Sequence, residues 1–241
     1  MDTALITGGS KRVGKAIAEH LAGKGWNLVI HYNTSEEPAE RLVKQLQTHY
    51  PGQKFTCLQT DLINQNEVER LIRNAIANMG SIQLLVNNAS IFKPGNLRKT
   101  STGLFDDHIL VNFKAPFILM RDFATFCTNG NIINLLDTRI TSNKTNFAAY
   151  SLSKKSLWHL TQMAALEFAP NIRVNAIAPG VTLPPVDKDE SYLWELAEKI
   201  PMKEPTGTDP ILKSIDFILE NTHLTGQLLF ADGGENLGQN R

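Results

Sequence analysis

Short apolar runs alternate along this chain with longer amphipathic stretches. The runs TALIT (3–7), NLVIHY (27–32), FTCLQT (55–60), IQLLVNN (82–88), NIINLL (131–136) and IRVNAIA (172–178) are rich in Leu, Ile and Val. Near-continuous apolar runs of this length mark strands covered on both faces. GQLLFADGG (226–234) adds a seventh. Between them, residues 12–24, 36–49, 64–79, 101–128 and 147–169 repeat apolar positions at three- and four-residue spacing, which predicts helices. Pro38, with Glu36 and Glu37 before it and Ser35 as the cap, fits the start of the second. Strands separated by helices need crossover connections. The expected fold is therefore α/β, a doubly wound parallel sheet of about seven strands with helices on both faces.

The pattern breaks only over 179–205, where prolines, a charge cluster and one short amphipathic piece follow the sixth run. Ligands bind beyond the carboxyl ends of strands in such sheets, so this segment reads as a substrate lid, with a plain surface excursion as the alternative. No repeat or interdomain linker interrupts the rest, and 241 residues suit one domain, 1–241, around one core. Twenty-four basic residues balance twenty-four acidic ones, leaving no field to attract nucleic acid or an anionic membrane. Cys57 and Cys127 sit in apolar runs without ligand-like spacing and read as reduced thiols. The six histidines show no metal-ligand spacing, and His31 reads as structural. No run approaches the roughly 18 apolar residues of a membrane span, and the first is too short for a signal peptide. A cytoplasmic protein acting on a small molecule, without a metal, is the expectation.

TGGSKRVG (7–14) joins the first strand to the first helix. A glycine turn there presents helix N-terminal amides to a dinucleotide's pyrophosphate, which makes this a Rossmann fold. Gly8 permits the sharp exit, Gly14 the close helix packing, and Val13 lies between. Arg12 stands where another glycine is usual. The second strand ends in Asn33, Thr34 and Ser35, without the acid that accepts the ribose 2′-OH of NAD; Glu36 and Glu37 fit better as first-turn helix acids. An arginine fork beside neutral donors suits a 2′-phosphate, so the residues favour NADPH; a solvent-pointing Arg12 is the alternative.

Tyr150 and Lys154 lie four residues apart on a predicted helix, hence on one face. An ammonium near a phenol lowers its pKa and makes it a usable acid near neutrality. Tyr50 and Lys54 repeat the spacing, but Pro51 and Gly52 between them forbid a helix. Asp137 ends the fifth strand thirteen residues before Tyr150.

The glycine turn, NNAS (87–90), YSLSK (150–154), NAIAPG (175–180) and TGQ (225–227) together resemble the short-chain dehydrogenase/reductase family over essentially the full length. The resemblance implies that Tyr150 protonates substrate, that Lys154 holds the nicotinamide ribose, and that Asn112 supports a proton relay. It places Asp61 and Leu62 at the adenine, Asn88 and Ala89 along the cofactor wall, and Pro179, Gly180 and Thr182 on the nicotinamide side. It also implies a homotetramer, with 101–128 and 147–169 as subunit contacts.

Arg12 and Asp137 depart from the family pattern, which has glycine and serine there. An ionised carboxylate accepts hydrogen bonds and would repel a developing alkoxide, which argues against a ketone and for a ring nitrogen; a protonated Asp137 would instead mimic the serine. Both departures resemble the pteridine reductase branch, and bacterial dihydromonapterin reductases are similar. That branch stacks a flat pterin between nicotinamide and a phenylalanine. Phe92 matches it, with core packing as the alternative, and Ser90 lies near the ligand. The expected activity is NADPH-dependent reduction of a pterin C=N bond. Carbonyl reduction of a 3-oxoacyl thioester and a non-catalytic NADP(H) sensor are the alternatives.

Overall fold

In the computed structural model, which describes residues 1–185 and 188–238, the apolar runs become the strands β1 (Thr3–Ile6), β2 (Asn27–Tyr32), β3 (Phe55–Gln59), β4 (Leu84–Asn87), β5 (Gly130–Leu135), β6 (Ile172–Pro179) and β7 (Leu228–Ala231). They pair, all parallel, in the order β3-β2-β1-β4-β5-β6-β7. The helices alternating with them are α1 (Arg12–Gly23), α2 (Glu36–His49), α3 (Gln65–Met79), α4 (Thr102–Ile109), α5 (Ala115–Phe126), α6 (Ala148–Phe168), α7 (Glu190–Ala197), α8 (Asp209–Glu220) and α9 (Glu235–Gly238).

Period-two alternation splits the core in two. Ala4, Ile6, Leu28, Ile30 and Val86 face the layer of α1, α2 and α8, where they meet Ile17, Leu21, Leu42 and Ile215. Leu5, Val29 and Leu85 face the opposite layer, against Leu71 and Ile72 of α3 and Leu119 and Phe123 of α5. Most of these side chains are completely buried, each stabilising the fold by about 1.5–3 kcal/mol.

Three elements differ from the pattern. The helix expected over 101–128 is interrupted by a π-helical turn, Leu110–Lys114. Pro116 sits in the first turn of α5 and has no N–H to give, so the ladder passes to five-residue spacing, with Ala115 N–H bonded to Leu110 O. α8 lies outside the stretches whose spacing predicts a helix; its Asp209–Pro210 start resembles the irregular segment before it, but Ile211, Ile215 and Ile218 form a buried stripe. Ser35 holds the N-cap position of α2 without a side-chain cap bond. Residues 186 and 187, within the expected lid, lie outside the described residues.

Candidate active site

The strand order lays the sequence motifs along one edge of the sheet. From one side to the other, β3 delivers Asp61 and Leu62, and β2 delivers Asn33, Thr34 and Ser35. β1 delivers Gly8 to Gly14, and β4 delivers Asn88, Ala89 and Ser90. β5 delivers Asp137, and β6 ends in Pro179, Gly180 and Thr182. Reversal of the strand order between β1 and β4 opens the crevice in which such folds bind ligands.

The glycine turn is built for close approach. Gly8 has φ +61°, and a Cβ on Gly14 would stand 2.1 Å from Gly8 O. Asn88 Nδ2 donates to Thr7 O at 2.9 Å and to Gly8 O at 3.2 Å. α1 carries no acid in its first turn and no side-chain cap from Lys11, whereas α2, α3 and α8 begin with acids. Its leading amides and dipole are thus left to an anion, and these residues fit a dinucleotide pyrophosphate. Gly180 lets β6 close on β7, since a Cβ there would stand 2.7 Å from Asp232 Cα.

Arg12 has φ +53°, so it keeps the left-handed backbone that a glycine would supply. Its exposed guanidinium reaches across the crevice, where Nη2 donates to Pro184 O at 2.8 Å and Leu183 O at 3.4 Å. The structure bonds it to the segment after β6; Asn33 is bonded instead to Asp61 Oδ1, at 3.4 Å.

Tyr150, Lys154, Asp137 and Asn112 are brought together. Tyr150 Oη donates to Asp137 Oδ2 at 2.8 Å, and Arg139 N–H donates to Asp137 Oδ1 at 2.8 Å. Both carboxylate oxygens therefore act as acceptors. Lys154, also buried, donates from Nζ to Leu135 O at 2.7 Å, with Nζ 5.8 Å from the Tyr150 ring centre. The expectation of an acidified tyrosine is corrected here. Burial and the adjoining Asp137 push the Tyr150 phenol well above its usual value, and Arg139 is the cation that opposes the rise. Burial draws Lys154 itself down from 10.5 to about 8. A phenol that holds its proton this firmly releases it only to a strongly basic atom placed against it.

The carboxamide of Asn112, fully buried in the π turn, is a fastener. Oδ1 accepts from Ile91 N at 2.9 Å and Ser90 Oγ at 3.1 Å; Nδ2 donates to Ile91 O at 3.0 Å and Ser153 Oγ at 3.1 Å. Three of these bonds hold the loop after β4 and the fourth reaches α6, so the side chain expected to support a proton relay also fastens that loop.

Phe92 is 52% exposed, which sets aside core packing. Its ring stacks on Phe147 at 4.2 Å and 4°, and meets the Tyr150 ring edge-on at 4.6 Å. The Arg139 guanidinium lies 4.7 Å from the Phe147 ring centre and 5.9 Å from that of Phe92. The sequence reading missed Arg139, in the aperiodic stretch after β5, and Phe147, which the spacing marks only as the first residue of the helix expected over 147–169. It also gave no role to His108, which is completely buried. His108 Nε2 accepts from Lys93 N at 3.3 Å behind Phe92, and its ring lies 6.3 Å from that of Tyr150.

A proton donor beside a dinucleotide crevice is the equipment of an oxidoreductase. The chain matches the short chain dehydrogenase family over residues 2–192 and belongs to it. It is 29% identical to the 3-oxoacyl-(acyl-carrier-protein) reductase FabG of Staphylococcus epidermidis, over 96% of this chain and 98% of that one. It is 28% identical to the dihydromonapterin reductase of Enterobacter sp. (strain 638), over 97% and 96%. Among solved structures, the FolM alternative dihydrofolate reductase 1 of Brucella canis, complexed with NADP, superposes with a TM-score of 0.91. That pair is 35% identical, over 98% of this chain and 94% of the other.

Proposed function

We propose that this chain is an NADPH-dependent reductase of a pterin C=N bond, of dihydropteridine, dihydromonapterin or dihydrofolate type. The observation that carries the reading is the carboxylate at 137, bonded to the Tyr150 hydroxyl at 2.8 Å. An acceptor at that place attracts a substrate with ring N–H groups and opposes negative charge developing on a ketone oxygen. The NADP held by the Brucella canis relative and the dihydromonapterin reductase relative support the coenzyme and the substrate class.

Along the sheet edge, Asp61 and Leu62 would hold the adenine of NADPH, and Arg12, Asn33, Thr34 and Ser35 its 2′-phosphate. Gly8, Val13 and Gly14 take the pyrophosphate. Asn88, Ala89, Ser90, Tyr150 and Lys154 line the nicotinamide ribose; Pro179, Gly180 and Thr182 line the nicotinamide. The coenzyme supplies hydride to the substrate carbon. Tyr150 supplies the proton to the substrate nitrogen, which becomes the stronger base as hydride arrives. Asp137 orients both the phenol and the substrate N–H groups. The Phe92 face turned away from Phe147 stacks the flat ring, and 179–205 closes over it as a lid. A homotetramer belongs to the same reading. Phe117 on α5 and Met163 on α6 are exposed and line a groove of about 740 Å³, which a second copy would cover.

The Staphylococcus epidermidis relative favours a second reading, reduction of a 3-oxoacyl thioester. NADPH oxidation with dihydrobiopterin, dihydromonapterin, dihydrofolate and an acetoacetyl thioester separates the two. Turnover of a pterin is expected, and turnover of the thioester alone would replace the first reading with the second.

A further inference from the structure

His31, on β2, is 1% exposed and joins two parts of the crevice that come from different strands. Nδ1 lies 3.0 Å from Gly8 N, and Nε2 lies 3.0 Å from Thr60 O. The partners fix the tautomer, because a backbone N–H can only donate and a carbonyl can only accept. Nδ1 is therefore the bare acceptor, and Nε2 carries the proton. The main chain of His31 adds a third tie, Gly9 N–H to His31 O at 3.0 Å.

These contacts hold a peptide with little other freedom. Gly8 stands at φ +61°, its carbonyl is held by Asn88 Nδ2, and Gly14 packs against the same carbonyl. Only its N–H depends on a side chain from β2, and that side chain is His31. On the far side, Thr60 leads into Asp61 and Leu62. Asp61 N–H is bonded to Glu67 Oε2 at 2.8 Å, so this wall is rigid as well. One imidazole thus sets the distance between the turn that faces the phosphates and the wall that faces the adenine. Burial draws its pKa from 6.5 to about 4, which keeps it in the neutral form that these two bonds require.

We propose that His31 is a positioning residue for the coenzyme, holding the phosphate turn and the adenine wall in register through its two ring nitrogens. The proposal rests on the reading that a nicotinamide dinucleotide occupies this edge of the sheet. The two side-chain bonds of His31 go to neither the nicotinamide end nor the 2′-phosphate donors. Its effect falls on coenzyme affinity, and equally on NADPH and NADH.

Three variants separate positioning from general packing. His31→Asn keeps an acceptor near the Nδ1 position, His31→Gln keeps a donor near the Nε2 position, and His31→Leu keeps neither. Coenzyme dissociation constants are read by fluorescence titration of NADPH and NADH, beside thermal melting and steady-state kinetics. The Leu variant is expected to weaken both coenzymes about tenfold or more, with the loss in coenzyme KM rather than kcat. The Asn variant is expected to recover most of that affinity and the Gln variant little of it, because the Gly8 peptide facing the phosphates is the part that must be held. Unchanged affinity in the Leu variant would overturn the proposal. So would affinities that merely follow the melting temperatures across all three variants, since that is the mark of packing alone. Failure of the wild-type chain to bind either dinucleotide would instead refute the coenzyme reading beneath it.

Discussion

Tyr150 Oη donates to Asp137 Oδ2 at 2.8 Å, so the proposed acid of this site rests on a carboxylate. The carboxylate makes the phenol reluctant, and reluctance is useful when the proton must go only to a reacting nitrogen. Tyr150→Phe is expected to lower turnover by about 10²–10⁴-fold while leaving NADPH affinity nearly intact. Asp137→Ser should cut pterin turnover and raise thioester turnover relative to it. The two substrates are compared by NADPH oxidation under saturating coenzyme. An Asp137→Ser variant with an unchanged ratio would remove the carboxylate from substrate choice.

Arg12 spans the crevice to Pro184 and Leu183, and a guanidinium retains further donors for a phosphate. Arg12→Ala is expected to weaken NADPH about tenfold more than NADH. It should also raise substrate KM with either coenzyme, since the segment after β6 loses its anchor. Equal losses for the two coenzymes would assign the 2′-phosphate to Asn33, Thr34 and Ser35 alone.

Lys154 is a buried ammonium whose pKa has fallen to about 8, so at neutral pH the fold carries the cost of holding its charge. Lys154→Met should stabilise the chain by about 1–3 kcal/mol near pH 7, offset in part by the bare Leu135 carbonyl, while activity collapses. Chemical denaturation beside an activity assay checks both halves. A destabilised Met variant would mean that the bond to Leu135 outweighs the desolvation of the charge.

His31 gives the opposite end of the pH scale. The unfolded imidazole binds a proton near 6.5, and the folded one resists until about 4. In that window the unfolded chain binds more protons, so stability is full above 6.5 and falls as pH drops toward 4. Between about pH 7 and about pH 5 the wild-type chain should lose about 2 kcal/mol more than His31→Asn. Matching slopes for the two proteins in denaturant titrations would show that His31 does not titrate as buried.

The sheet was legible because parallel strands covered on both faces leave short apolar runs, and β1 to β6 follow those runs closely. The placing of the motifs along the crevice, and the meeting of Tyr150, Lys154 and Asp137, were implied by the resemblance to the short-chain dehydrogenase/reductase family. What sequence spacing could not carry was the direction of a side chain. Four-residue spacing puts Lys154 on the face of Tyr150, but its ammonium turns to the Leu135 carbonyl, and the nearby cation that acts on the phenol is Arg139. Arg139 belongs to a stretch with neither periodicity nor a motif, and the periodicity over 147–169 marks Phe147 only as a helix residue. Phe147 holds its place at φ +62°, a backbone state that nothing in its neighbours' identities announces. α8 was obscured because its proline reads equally as a helix start and as a loop.

Asn112 sits in the π-helical turn Leu110–Lys114, and each residue of an ordinary helix turns by about 100°. Removing one residue from that turn would regularise the helix and swing the carboxamide away from Ile91 and Ser153. The loop bearing Phe92 would lose its tether while every side chain that touches substrate kept its identity. A family member shortened by one position there could carry an intact set of active-site letters and still be a poor enzyme.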